Sequence, residues 1–238
     1  MLLRIFFEGL PSAKADWGVL FYALAILTMT VGNVAALTQS NIKRLLAYSS
    51  IAHAGYLLIG VVAATSVPLI GIKATLIYLA VYSFMQLGAF AVVTLLRRRD
   101  VIGEELKDMS GLFSRSPIAA TAMLLFMLSL GGIPPTAGFM GKFWLFSAAI
   151  DGGYYWLAVI GVLNSAVSLY YYLRVVVFMW FKGEAAGSPI TIGPAMAAVL
   201  VVTVVATIAL GVYPRPLFDL ADLSARTLGV AGLAAVVR

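Results

Sequence analysis

The chain has 238 residues, of which 62% are hydrophobic and 11% charged, and its mean hydropathy is +1.01. That balance excludes a soluble globular domain, and apolar runs that are continuous instead of alternating exclude a β-barrel. The net charge of +6 collects between the apolar runs, which is the pattern of membrane topology and argues against a nucleic-acid partner.

Crossing the roughly 30 Å hydrocarbon core takes about 20 helical residues. On that measure the sequence predicts an all-α membrane protein with about six transmembrane helices, one of them discontinuous. No typical cleavable signal peptide is visible. Residues 1–10, with Leu2, Leu3, Arg4, Ile5, Phe6 and Phe7, read as the last turns of a preceding transmembrane helix; the plainer alternative is a short surface segment. Spans are expected at 17–37, 42–64, 68–96, 117–150, 154–181 and 193–213, followed by a tail, 216–238, that lies at the interface or packs on a partner.

The fourth span carries Gly131-Gly132-Ile133-Pro134-Pro135 in its middle. As one straight helix at 1.5 Å per residue it would reach about 51 Å, too long for a simple crossing. Its second half is too short to cross alone. A single tilted, interrupted span fits, with the open peptide groups at the break buried against protein. Lys43, Arg44, Arg97, Arg98, Arg99, Lys107, Arg115 and Lys182 fall on one side; Lys14, Lys73, Asp151 and Arg215 fall on the other. The positive-inside rule turns the first side to the cytoplasm and the C-terminus outside.

Lys142 lies just beyond the break. An ammonium near the bilayer centre costs about 3 kcal/mol on insertion scales. A charge beside an interrupted helix is a recurring device of ion-translocating proteins. The competing reading is a lysine that snorkels to the interface. In the second span Lys43, Ser50, His53 and Tyr56 share a helix face, with Ser49 beside them. His53 can exchange protons near neutral pH, or it can simply hydrogen-bond between helices. Thr75, Tyr78, Tyr82 and Gln86 line the third span; Asn164, Ser168 and Tyr171 line the fifth. Such stripes order water or act as interhelical glue. Asp151, Glu104, Glu105 and Asp108 read as solvated loop charges. With no cysteine and one histidine, the chain offers no disulfide, no iron–sulfur ligation and no metal site of its own. Gly131-Gly132 lacks the following Gly-Lys-Ser/Thr of a phosphate loop.

Two long motifs carry a resemblance. Asn33 to Tyr56, through Thr38-Gln39-Ser40-Asn41-Ile42-Lys43-Arg44-Leu45-Leu46-Ala47-Tyr48-Ser49-Ser50-Ile51-Ala52-His53, resembles the second-repeat core of the antiporter-like subunits of respiratory complex I (NADH–quinone oxidoreductase). Gly132 to Phe143, ending Gly138-Phe139-Met140-Gly141-Lys142-Phe143, resembles the subunit N family among them, as does Tyr170-Tyr171-Tyr172-Leu173-Arg174-Val175. The resemblance implies inverted five-helix repeats, of which 17–181 would be the second, with 193–213 as the final helix and the first repeat absent. It implies proton translocation coupled to quinone reduction in other subunits, in a bacterial cytoplasmic (inner) membrane. Lys142, His53 and Lys43 would then relay protons, with Ser50, Tyr56, Tyr82, Gln86, Asn164 and Ser168 supporting a water path. FMN, iron–sulfur clusters and quinone would sit elsewhere in the complex, with no cofactor in this chain. Its partners would be the other membrane subunits, the lipid bilayer, protons and ordered water. Two other readings stand beside this one: a subunit of a multisubunit cation/proton antiporter, and a non-conducting structural fragment.

Overall fold

The computed structural model describes residues 2–97, 104–182 and 190–226. Arg98, Arg99 and the end of the expected tail, 227–238, lie outside the described residues. Eight principal helices follow in chain order: α1 Lys14–Leu37, α2 Ile42–Ser66, α3 Pro68–Arg97, α4 Pro117–Gly131, α5 Ala137–Asp151, α6 Tyr155–Phe181, α7 Pro194–Val212 and α8 Arg215–Ala225. Among the described residues five of these, α1, α2, α3, α6 and α7, are long and apolar enough to cross a membrane. The broken pair α4–α5 supplies the interrupted crossing at the position where the sequence predicts it.

Local chemistry sets the boundaries. Asn41 caps α2, its side chain accepting from the Lys43 and Arg44 amides at 3.0 and 3.1 Å and so satisfying two otherwise open donors. Prolines open α4 and α7, where a missing N–H costs nothing. Arg174 of α6 donates to the carbonyls of Leu37 and Gln39 and so closes the C-terminal end of α1. α1 begins at Lys14, three residues before the expected start, because charges in a first turn end a hydropathy run without ending a helix.

The loops gather at two ends. At one, the Ile42 amide donates to Glu104 O (2.9 Å) and the Leu106 amide to Ser40 O (2.8 Å). Lys43, Arg44, Lys107, Arg115 and Lys182 belong to this basic end. The far end carries Lys14, Lys73, Asp151 and Arg215, so the two groups separate as the sequence partitions them. The tail helix α8 packs on its own chain at the far end. Asp222 bonds Lys73 (3.3 Å), and Phe218 meets Trp144 edge-on with ring centroids 5.0 Å apart. Phe6 and Phe7, in the helical stretch Ile5–Gly9, pack on Trp17.

The core is two apolar clusters. One, toward the basic end, includes Ala36, Leu45, Leu46, Met123, Phe126 and Val175. The other, toward the far end, includes Phe21, Met29, Ile59, Ile72, Leu145 and Leu157. Asn33, Ser49, His53, Lys142 and Ser168 fall between them along their helices, and all five are buried. A polar layer therefore crosses the middle of an otherwise apolar bundle.

Candidate functional site

The break builds the centre of that layer. α4 ends at Gly132, whose φ of +85° is natural only for glycine. The Gly132 amide donates to Leu128 O and Ser129 O, and the Ile133 amide returns to Leu128 O, all at 3.0 Å. This turn leaves the last carbonyls of α4 open for other donors. Lys142, on α5, meets them: its Nζ donates to Leu130 O (2.9 Å), Gly131 O (3.3 Å) and Ser165 Oγ (2.9 Å). Three acceptors match the three hydrogens of an ammonium, at the negative end of a helix dipole. The side chain is 4% exposed, so the lysine does not snorkel. A Cβ on Gly132 would come within 3.1 Å of Lys142 Cδ, so this glycine makes both the turn and the seat for the lysine stem.

Ser129 holds the two half-helices together. Its hydroxyl accepts from the Gly138 amide (3.0 Å) and donates toward the Met85 sulfur (2.7 Å). A Cβ at Gly138 would lie 1.8 Å from Ser129 O, an approach open only to glycine. The register of Lys142 against the end of α4 follows from this clamp.

His53, 1% exposed, is held at both ring nitrogens. Nδ1 lies 2.6 Å from the Tyr78 hydroxyl and Nε2 3.0 Å from the Tyr172 hydroxyl, which in turn bonds Ser49. Tyr82 stacks on the imidazole at 4.7 Å. Tyr56 connects the two titratable groups: its ring centroid is 5.6 Å from that of His53 and 5.0 Å from Lys142 Nζ. That second distance is a cation–π contact. Beside this cluster, Tyr171 donates to Asn33 Oδ1 (2.9 Å) and Asn33 donates to Asn164 Oδ1 (3.0 Å), joining α1 to α6.

The structure thus brings Lys142, His53, Tyr56 and Tyr82 together. Gln86, one turn beyond Tyr82, is partly buried. Among the described residues the Tyr56 and Tyr82 hydroxyls and Gln86 Oε1 are buried without a hydrogen-bond partner. Asn164 serves the α1–α6 bridge. Ser50 and Ser168 bond back to their own helices, at Ala47 O (2.6 Å) and Ser165 O (2.7 Å). Lys43 lies apart, in the first turn of α2, where it pairs with Glu104. His53 is ten residues on, about 15 Å along the axis. Glu104 is the exposed loop charge read from the sequence, and it also serves as the ion-pair partner of Lys43.

Sequence reasoning passed over Ser165, Tyr172 and Asn33 as site residues and left Ser49 and Tyr78 as bystanders. The signal was present for α6: residues 165, 168 and 172 also share a face, rotated from the 164, 168 and 171 stripe. Two adjacent faces of α6 hold two networks, one toward Lys142 and His53 and one toward Asn33. The lysine's carbonyl partners, being backbone, have no side-chain signature. Chemically, the cluster is a line of groups that can both give and take a hydrogen bond, ending in an amine. Among the described residues no group of His, Cys, Asp and Glu could hold a metal.

A family model described as "NADH:quinone oxidoreductase/Mrp antiporter, TM" matches residues 1–168. The chain is 48% identical over 224 residues to a protein named NADH-quinone oxidoreductase subunit N 2 from Solibacter usitatus, covering 94% of this chain and 45% of that one. To subunit N from Trichlorobacter lovleyi it is 47% identical, covering 95% and 46%. The chain therefore spans about half the length of these curated relatives. Among solved structures it is similar to a chain of respiratory complex I from Thermus thermophilus with bound aureothin, with a TM-score of 0.72, 35% identity and coverage of 84% and 44%. A chain of the Mrp complex from a Dietzia species shares the fold, with a TM-score of 0.77 at 21% identity and coverage of 91% and 48%.

Proposed function

The chain belongs to the NADH:quinone oxidoreductase/Mrp antiporter transmembrane family, and from that premise we propose that it is a proton-translocating membrane subunit of an NADH–quinone oxidoreductase. It contributes no redox step of its own. FMN, iron–sulfur clusters and quinone belong to other subunits, and quinone reduction there drives the proton movement here. The basic end faces the cytoplasm of a bacterial inner membrane, with the C-terminus outside.

The observation that carries this reading is the buried ammonium of Lys142 at the helix break, donating to Leu130 O, Gly131 O and Ser165. A neutral amine has two hydrogens for those three acceptors, so loss of a proton frees one acceptor and loosens the lysine from the end of α4. Proton binding and the hold of the break on α5 are thereby linked. Protons enter past Lys43 and Glu104, reach His53 through Ser49, Tyr172 and Tyr82 with Ser50 lining the approach, and pass to Lys142 beside Tyr56. Water completes the file where the protein leaves polar atoms without a partner, at Tyr56, Tyr82 and Gln86. Asn164 and Ser168 support the wall that faces it.

The test is NADH-driven proton uptake in inverted membrane vesicles carrying Lys142→Ala within the assembled complex, with quinone reduction measured in parallel. Diminished uptake in an assembled complex is the expected result. Unchanged uptake and turnover would make the lysine structural and end this reading. A second reading, a subunit of a cation/proton antiporter, draws on the family description, which covers both classes. Transport that requires sodium and proceeds without NADH would favour it.

A further inference from the structure

An apolar groove of about 460 Å³ opens between α4 and α7, outside the polar layer. Ile118, Thr121 and Leu125 form one wall; Val201, Val204 and Ile208 form the other. Their spacing of three or four residues makes the groove follow both helices for about two turns, roughly 11 Å along the bundle. Ile118 and Val201 are 69% and 61% exposed, so the groove faces out of the bundle. Its mouth is at Pro117, on the basic end.

Arg115 lies two residues before Pro117. Its carbonyl accepts from the Ile190 amide (3.0 Å), which ties the lead-in of α7 to the segment just before α4, beside the mouth of the groove at Pro117. Arg115 is only 8% exposed, yet among the described residues it has no ion pair and no hydrogen bond from its side chain, and its Nε is buried without an acceptor. A guanidinium in that setting calls for an anion. The first turn of α4 adds open amides, because no side chain caps it. A neighbouring apolar helix would fill the groove and leave the guanidinium unanswered. An amphiphile with an anionic head answers both.

We propose that this groove binds an anionic glycerophospholipid, with its phosphate against Arg115 and the start of α4 and one acyl chain laid between α4 and α7. The binding is independent of proton movement through the polar layer, and the excess of cations at this end draws the anionic headgroup.

Native mass spectrometry of the assembled complex, taken from nanodiscs of phosphatidylcholine with a minor fraction of phosphatidylglycerol, tests it. The unaltered protein and Leu163→Trp, on the exposed face of α6 away from the groove, retain one phosphatidylglycerol. Thr121→Trp fills the groove and lowers retention about tenfold or more. Arg115→Gln lowers the preference for phosphatidylglycerol over phosphatidylcholine about tenfold, the worth of a charge-assisted hydrogen bond. Should Arg115→Gln fail to assemble, Thr121→Trp carries the test alone. Equal retention in Thr121→Trp and the unaltered protein would overturn the proposal. So would a photo-crosslinker at position 121 that captures a neighbouring subunit and no lipid.

Discussion

Helix α7 and the pair α4–α5 cross the same apolar bundle and treat their polar groups differently. In α7 two buried threonines turn inward: Thr203 donates to Val199 O (2.8 Å) and Thr207 to Thr203 O (2.7 Å), each one turn back in the same helix. Every group is answered locally and the helix stays closed. In α4–α5 the helix is opened, and its terminal carbonyls are answered by Lys142 from the other half-helix and by nothing in their own turn. Locally satisfied groups are inert. Groups satisfied from a distance can exchange partners, and only the second arrangement can couple a proton to a movement. The same division separates Ser50 and Ser168, bonded to their own helices, from Ser49 and Ser165, bonded across the bundle.

The largest test of that contrast is Lys142→Gln, which keeps a polar side chain able to donate two hydrogen bonds at that position and removes the exchangeable charge. The rate of NADH-driven proton uptake through this subunit should fall by at least about tenfold, since general acid–base groups are typically worth about 10² to 10⁴ in rate. A complex that pumps normally with glutamine there would erase the distinction between the two crossings. Next in size is Gly132→Ala. The left-handed backbone costs an alanine about 1–2 kcal/mol, and the added methyl displaces the lysine stem. Thermal unfolding in detergent should show the loss, and proton uptake should drop with it. Tyr172→Phe removes one of the two partners of His53, a bond worth about 0.5–1.5 kcal/mol. It should slow proton uptake severalfold, while Ser168→Ala leaves the rate unchanged; equal rates in both variants would contradict the assignment of the relay face on α6. In α7, Thr207→Val should change stability by no more than about 0.6 kcal/mol, the average for polar contacts in membrane helices.

The smallest effect lies at the far end. Hydrogen bonds from Lys73 and Arg226 hold the Asp222 carboxyl below the ordinary aspartate range. Its contribution to docking α8 is therefore fully present above about pH 4 and is lost as pH falls through the lowered value. Limited proteolysis of α8 should speed up only in strong acid, and Lys73→Met should flatten that pH dependence.

Hydropathy and glycine–proline punctuation made the crossings and the break legible, because both depend on residue types along a single stretch of chain. Lys142 and His53 stood out for the same reason: each is a polar group in an apolar run. The partners were harder to see. Leu130 and Gly131 contribute carbonyls that every residue possesses, and Ser165 lies on a helix face that overlaps the one marked by Asn164 and Ser168. Lys43 shared a face with His53 on paper, while the pairing of Lys43 with Glu104 depends on a loop 61 residues away. Periodicity identifies a face, and residue spacing the distance along the axis, but neither tells what approaches that face from a loop or another helix.

His53 has one further consequence. A neutral imidazole carries its hydrogen on a single nitrogen, so with a tyrosine at each side one hydroxyl must accept and the other must donate. A proton that arrives at one nitrogen and departs from the other leaves the ring in the opposite tautomer and both hydroxyls facing the wrong way. The ring itself need not swing, but a second proton cannot follow until the two hydroxyls have turned back. On the proposed path the residue thus keeps a record of the last passage, and resetting that record is a step of its own, separable from the transfer by its sensitivity to deuterium.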